Sequence, residues 1–212
     1  ILFEVKGPWG HVVWGEEAGE TTVSVPGLPV DTLLDAFGWP APDFVKMDVE
    51  GSEPRAIAGM GQALQGPEAP PILFESNARS LAFAGATAGE LRAQLADLGY
   101  TCYLVEPGRL IRLSANDLQA ETVVDCLAVK GDLPALPGWQ VVPELTAEET
   151  IRRIVAESRH SNPYCRAFVA RTLETVDPAV ARDPSIVEAI RLLSEDPVDV
   201  VREAAVWSVS AR

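Results

Sequence analysis

Short apolar runs bounded by turn residues alternate with amphipathic stretches through the first 130 positions, and only amphipathic stretches follow. Ile1 to Val5, Val12 to Trp14 and Thr21 to Val25 read as β-strands, with a loop from Gly15 to Glu20. Asp31 to Phe37 reads as a short helix anchored by Leu33 and Leu34 and ended by Pro40 and Pro42. Phe44 to Met47 is expected to be a buried strand. Ile57, Met60 and Leu64 recur at spacings of three and four, which predicts a helix over 53–64. After Pro70 and Pro71, Ile72-Leu73-Phe74 reads as a second buried strand. Thr87 opens a helix through Leu98, with Glu90 completing a capping box and Gly99 as the stop. Tyr100 to Val105 and Leu110 to Leu113 flank Pro107-Gly108 as a hairpin, and Thr122 to Val129 is a last strand. Strands alternating with helices are the pattern of a parallel α/β sheet.

The pattern changes at Gly131. Residues 132–143 hold three prolines and a glycine and read as an exposed linker, with no strand after Val129. Residues 144–212 read as helices only: Thr146 to Ser158, Pro163 to Thr175, Pro184 to Ser194 and Pro197 to Ser210. The last three carry Pro at or near the first turn, where a missing N–H costs least. Asn162-Pro163 leading to Arg166 parallels Asp196-Pro197 leading to Arg202, and the two arginines are 36 residues apart. That is near the period of helical-pair repeats, and it matches Phe168 and Val169 with Ala204 and Ala205. The run Asp196-Pro197, Val201-Arg202, Ala204-Ala205 resembles HEAT-type repeats, which implies stacked helices and a partner-binding surface. The alternative is a small helical cap packed on the sheet.

Composition narrows the function. The 212 residues suffice for one sizeable core and a smaller unit. A formal charge of −14 argues against nucleic acid and against an anionic membrane surface, since both need concentrated Lys and Arg. No apolar run reaches transmembrane length. Cys102, Cys126 and Cys165 are widely spaced and read as reduced thiols of a cytoplasmic protein. His11 and His160 are far apart and indicate no metal or triad constellation, so no metal site is expected. Trp9, Trp14, Trp39, Trp139 and Trp207 share no register and read as packing residues, with Trp207 sealing the last helix. The chain opens in mid-pattern at Ile1, without a signal-peptide pattern, and the expectation is that its start is missing.

The candidate chemistry lies between Asp43 and Asn77. Two apolar runs each end in acids: Asp48 and Glu50 after the first, Glu75 after the second. Ligands of open α/β sheets bind outside the carboxyl ends of the strands, so these three carboxylates would meet at one edge. Asp48 is the first candidate for a general base or acceptor anchor, followed by Glu50 and Glu75, with Asn77 as a hydrogen-bonding positioner. Glu53 is either an acceptor contact or a first-turn carboxylate favoured by the helix dipole. Lys46 shares a sheet face with Asp48, and in a central strand it must snorkel or pair with an acid such as Glu75. A substrate role and an ion pair both remain open for it. A divalent cation on Asp48 and Glu75 is conceivable, but two carboxylates are too few to define its site. Gly51 serves at least a tight turn.

Val30-Asp31-Thr32-Leu33-Leu34, then Phe44-Val45-Lys46-Met47-Asp48-Val49-Glu50-Gly51-Ser52-Glu53, Ala58-Gly59-Met60 and Ile72-Leu73-Phe74-Glu75, resemble the later half of an FkbM-type methyltransferase domain. The resemblance implies a Rossmann-like sheet lacking its N-terminal strands over residues 1–131, with S-adenosylmethionine as cofactor. It further implies methyl transfer, from family likeness to an oxygen of a small molecule or glycan. The family's glycine-rich cofactor turn has no counterpart here, because Gly7-Pro8-Trp9-Gly10 suits an ordinary turn. Its absence implies that this stretch alone binds the cofactor weakly or not at all and is inactive. Two alternatives stand beside it. One is a non-catalytic interaction protein that binds a partner through the helical repeats. The other is a different Rossmann-type enzyme using the same carboxylates.

Overall fold

The computed structural model describes residues 1–4, 11–13, 21–114, 122–173 and 176–210; the side chains of Phe3, Glu4, His11 and residues 207–210 are outside the description. The chain divides into two compact units, Ile1–Ala115 with Val124–Val141, and Asn116–Val123 with Val142–Arg212. The Gly7 to Gly10 turn, the 15–20 loop, Trp9, Trp14 and the Trp207 side chain lie outside the described residues.

The first unit is mixed α/β. Three short antiparallel strands, β1 (Leu2–Glu4), β2 (His11–Val12) and β3 (Thr22–Ser24), form a small sheet in the order β2-β1-β3. The segment then enters α1 (Val30–Phe37). The main sheet has six strands: β4 (Val45–Met47), β5 (Ile72–Asn77), β6 (Tyr100–Glu106), β7 (Arg109–Leu113), β8 (Val123–Lys130) and β9 (Gln140–Val142), in the order β4-β5-β8-β6-β7-β9. Helices α2 (Glu53–Ala58), α3 (Ala78–Phe83) and α4 (Ala88–Asp97) lie between its strands in sequence. Ile57, Leu64, Ile72, Phe74, Leu81, Leu91 and Leu95 are fully buried and form the heart of this unit.

Five expectations are corrected here. The sheet is mixed: β4 and β5 are parallel, while β6 runs antiparallel to both β7 and β8. β4 is an edge strand of this sheet, with only Met47 fully buried. The helix predicted over 53–64 stops at Ala58. Gly59 and Gly61 weaken its continuation. The Asp31 carboxylate accepts the N–H groups of Gln62 (2.7 Å) and Ala63 (3.0 Å), which a continuing helix would direct to its own carbonyls. Met60 and Leu64 are buried all the same. Helix α1 ends before either proline, at Gly38 in the left-handed conformation (φ 61°). Residues 140–142, expected as linker, form β9; the Gln140 N–H donates to the Gly108 carbonyl in the β6–β7 turn. Two tryptophans also depart from a packing role. Trp39 is exposed and stacks on exposed Phe37 at 4.8 Å, and Trp139 is exposed.

The second unit contains α5 (Ala147–Glu157), α6 (Pro163–Thr172), α7 (Pro178–Ala181), α8 (Pro184–Ser194) and α9 (Asp199–Ser210). Thr146 and Glu149 form a reciprocal capping box on α5. Four Asx-Pro pairs then punctuate the chain. The side chains of Asn162, Asp177, Asp183 and Asp196 each accept the backbone N–H two residues on, past a proline that has none to offer. The short α7 is one such start that the apolar pattern did not reveal. Ile154, Val169, Ala170, Leu173, Ile186, Leu193, Val201 and Ala205 make the core.

Arg166 and Arg202 have parallel surroundings. Arg166 donates to the carbonyl of His160 (2.7 Å), and Arg202 to the carbonyl of Asp196, each six residues upstream. Arg166 also holds both carboxylate oxygens of Asp196, at 2.7 and 3.0 Å, in a pair largely shielded from water. Val169, Ala204 and Ala205 are buried, while Phe168 is half-buried.

Removing one partner of a shielded pair strands the other charge, so Arg166→Ala should cost the second unit about 3 kcal/mol. Hydrogen bonding from Arg166 lowers the Asp196 carboxyl below the usual aspartate range. A depressed carboxylate contributes stability that is present above its unfolded pKa and lost as pH falls through the folded one. Denaturant titration should therefore show the Arg166→Ala deficit at neutral pH and its disappearance well below the ordinary aspartate range.

Candidate functional site

The acidic edge is assembled by strand register. Met47 pairs with Phe74, so Asp48, just past the end of β4, lies beside Glu75 within β5. Along β5, Ile72, Phe74 and Ser76 are buried, while Leu73, Glu75 and Asn77 occupy the opposite, half-buried face. Asp48 is exposed, and Glu50 and Glu75 are half-buried. One carboxylate oxygen from each of the three lies within 4.8 Å of the others.

A strained turn brings Glu50 into this group. Glu50 has φ 50°, the one positive value of a non-glycine residue among those described, and Gly51 follows at φ 93°. A Cβ on Gly51 would lie 2.3 Å from the Ser80 carbonyl oxygen, so the turn is seated directly on the backbone of α3. The same helix holds the Glu50 side chain, since Ser80 Oγ donates to Glu50 Oε2 at 2.9 Å. Asn77 Nδ2 reaches the same oxygen at 3.4 Å, while Asn77 Oδ1 caps α3 by accepting the Ser80 N–H. Asn77 is therefore a brace between strand end, helix start and carboxylate.

Glu53 is buried (1% exposed), and Oε1 accepts the Val49 N–H at 3.2 Å. Its carboxylate braces the turn from below and does not line the cavity described next. Its Oε2 has no hydrogen-bond partner among the described residues, and burial raises its carboxyl above the usual range. Lys46, on the edge strand, is exposed and stands 3.4 Å from Asp48 Oδ2, so its acid partner is Asp48 and not Glu75. Burial first, then the charges of Asp48 and Glu50, raise the Glu75 carboxyl; a hydrogen bond with Asn77 opposes them.

A cavity of about 690 Å³ opens beside this edge. Asp48, Val49, Glu50 and Ser52 form one part of its wall, Arg55 and Ala56 of α2 another, and Leu28 to Val30 a third. Ser52 Oγ is buried without a partner among the described residues, an orphaned polar group in the wall of a cavity. The arrangement offers a carboxylate base beside a space large enough for a small molecule, and an all-oxygen donor set of the type hard divalent cations accept. Cys102 and Cys126 take no part: they are buried in β6 and β8, where burial pushes their thiols up to about 11 and about 12.

Residues 3–102 match the family model described as Methyltransferase FkbM domain, which spans β1 to the start of β6 and includes the whole acidic edge. This stretch is therefore similar to a methyltransferase domain. No curated protein and no solved structure matches the chain. Among the described residues, no helix is long and apolar enough to cross a membrane.

The strained turn and the crowded carboxylates generate two expectations. Gly51→Ala must distort either α3 or the turn, and should destabilise the first unit by about 2–4 kcal/mol in denaturant titrations. A raised Glu75 pKa favours the folded state at acid pH and works against it once pH passes the folded value. Glu75→Gln should thus raise the melting temperature at neutral pH, with the gain shrinking as pH falls into the ordinary glutamate range.

Proposed function

We propose that the acidic edge is the acceptor side of a methyl-transfer site, in which Asp48 takes the proton from an acceptor hydroxyl. The observation that supports this reading is the cavity itself: Asp48, Glu50 and the unpartnered Ser52 Oγ share its wall, inside the stretch that matches a methyltransferase domain. A hydroxyl oxygen becomes a competent nucleophile as its proton leaves, and a carboxylate within reach supplies that acceptance in the transition state. Glu50, held by Ser80 and Asn77, orients the acceptor, and Glu75 keeps the local potential negative. Lys46 tempers the charge of Asp48 from the exposed side.

S-adenosylmethionine is the methyl donor in this reading. The residues present fit part of it. Clustered carboxylates complement a sulfonium, and the cavity is roomy, but the described residues contain no glycine-rich strand-to-helix turn to grip a nucleoside cofactor. When bound, that cofactor supplies the electrophilic methyl group. The chain's own residues bind and orient the acceptor and accept its proton. The acceptor is a small molecule or glycan oxygen.

A second reading, partner binding through the helical unit, draws on the parallel settings of Arg166 and Arg202 and their HEAT-like spacing. It and the first reading are compatible within one protein.

The test is transfer of labelled methyl groups from S-adenosylmethionine by the intact protein to a panel of alcohols and oligosaccharides. Asp48→Asn should lower kcat and kcat/KM together by about 10²–10⁴-fold with the fold unchanged by circular dichroism. Near-normal turnover in Asp48→Asn would make Asp48 structural and defeat the assignment.

A further inference from the structure

We propose that the corner between α5 and α6 is a binding site for a divalent transition-metal ion, zinc being the ion its donors fit. A carboxylate oxygen of Glu157, a ring nitrogen of His160 and the sulfur of Cys165 all lie within 4.8 Å of one another. This set differs in kind from the acidic edge. Nitrogen, sulfur and oxygen donors together suit a borderline-soft ion, whereas an all-carboxylate set suits calcium or magnesium. A carboxylate and a thiolate also offset the two charges of the ion, and three protein ligands leave the fourth tetrahedral position to water.

The backbone that carries the three donors is fastened before any ion arrives. Glu157 is the last residue of α5, and its carbonyl accepts the His160 N–H at 3.1 Å. The carbonyls of His160 and Ser161 accept from Arg166 at 2.7 and 3.1 Å. Asn162 caps α6, and Cys165 follows three residues later in its first turn. Zinc–ligand bonds of about 2.0–2.3 Å put neighbouring ligand atoms under about 4 Å apart, so side-chain rotation on this fixed backbone closes the site.

The charges around the corner are compatible with an ion. Arg166 is next to Cys165 in sequence, and the two interact electrostatically. Its own charge is already matched by the bidentate pair with Asp196, so it is not an uncompensated cation facing the metal. One cost is visible. His160 Nδ1 accepts the Asn162 N–H at 3.0 Å, and the imidazole must give up that bond or turn about χ2 to present a lone pair. The site is therefore weaker than a closed four-ligand zinc site. Cys102 and Cys126 are buried in the sheet and belong to no such set among the described residues.

Cobalt(II) is the probe, because a thiolate ligand gives it a charge-transfer absorption that carboxylates alone do not. Titration of the full chain should produce this band with one equivalent of cobalt, and one equivalent of zinc should abolish it. Cys165→Ser should remove the band, and His160→Ala should weaken binding by about tenfold or more. Glu157→Gln, at the half-buried end of α5, should also weaken binding and serves as a third variant should either of these fail to fold. Asp48→Asn and Glu75→Gln should leave the band intact, which separates this site from the acidic edge. Absence of a saturable band, or a band that survives Cys165→Ser, would overturn the proposal.

Discussion

Gly51 has no room for a side chain. Its α-carbon faces the Ser80 carbonyl so closely that a methyl group would overlap it, and its backbone is in a region that other residues avoid. Glu50 before it is forced into the left-handed region, at a cost of about 1–3 kcal/mol. That strain is held in place by neighbours that each use the turn: Glu53 from within, Ser80 from α3 and Asn77 from the cap of that helix. Because the chain turns back this sharply after β4, Glu50 returns to the strand end that Asp48 has just left. A wider turn would carry it away into solvent.

The consequence is a concentration of negative charge at one edge of the sheet. Lys46 is the cation that meets Asp48, and it does so from an exposed position where the attraction is screened. Glu75 responds by holding its proton more tightly. Stability alone gives no reason for three carboxylates at one edge, and a site that must attract a cation or take up a proton does. The adjoining cavity and the orphaned Ser52 hydroxyl agree with the second account.

Much of this edge was legible from residue types and order. Two apolar runs ending in acids predict carboxylates at one edge, and parallel pairing of β4 with β5 sets Asp48 beside Glu75, although β5 runs on past Glu75 to Asn77. The fate of Lys46 was not legible, because whether a three-residue strand is central or at an edge depends on pairing and not on its own pattern. The length of α2 was equally hidden. The 3.6-residue period persists through Leu64, but the Asp31 carboxylate, some thirty residues earlier, captures the amides a helix would need. The depth of Glu53 escaped for a similar reason: its position in a first turn fits either surface or interior, and the strained turn above decides. In the second unit, the 36-residue spacing of Arg166 and Arg202 was visible, and each arginine donates to a carbonyl six residues upstream. The grouping of Glu157, His160 and Cys165 was not legible from the two widely separated histidines, although its short spacing across a helix boundary is present in the chain.

The central claim is that strand register and the strained turn together bring Asp48, Glu50 and Glu75 into one electrostatic unit. Carboxyl-carbon NMR titration of Glu75, in the native chain and in Asp48→Asn, measures this most directly. The account predicts that Glu75 titrates above the ordinary glutamate range and moves down toward it once Asp48 carries no charge. A Glu75 that titrates at its ordinary value, or that does not respond to Asp48→Asn, would contradict it.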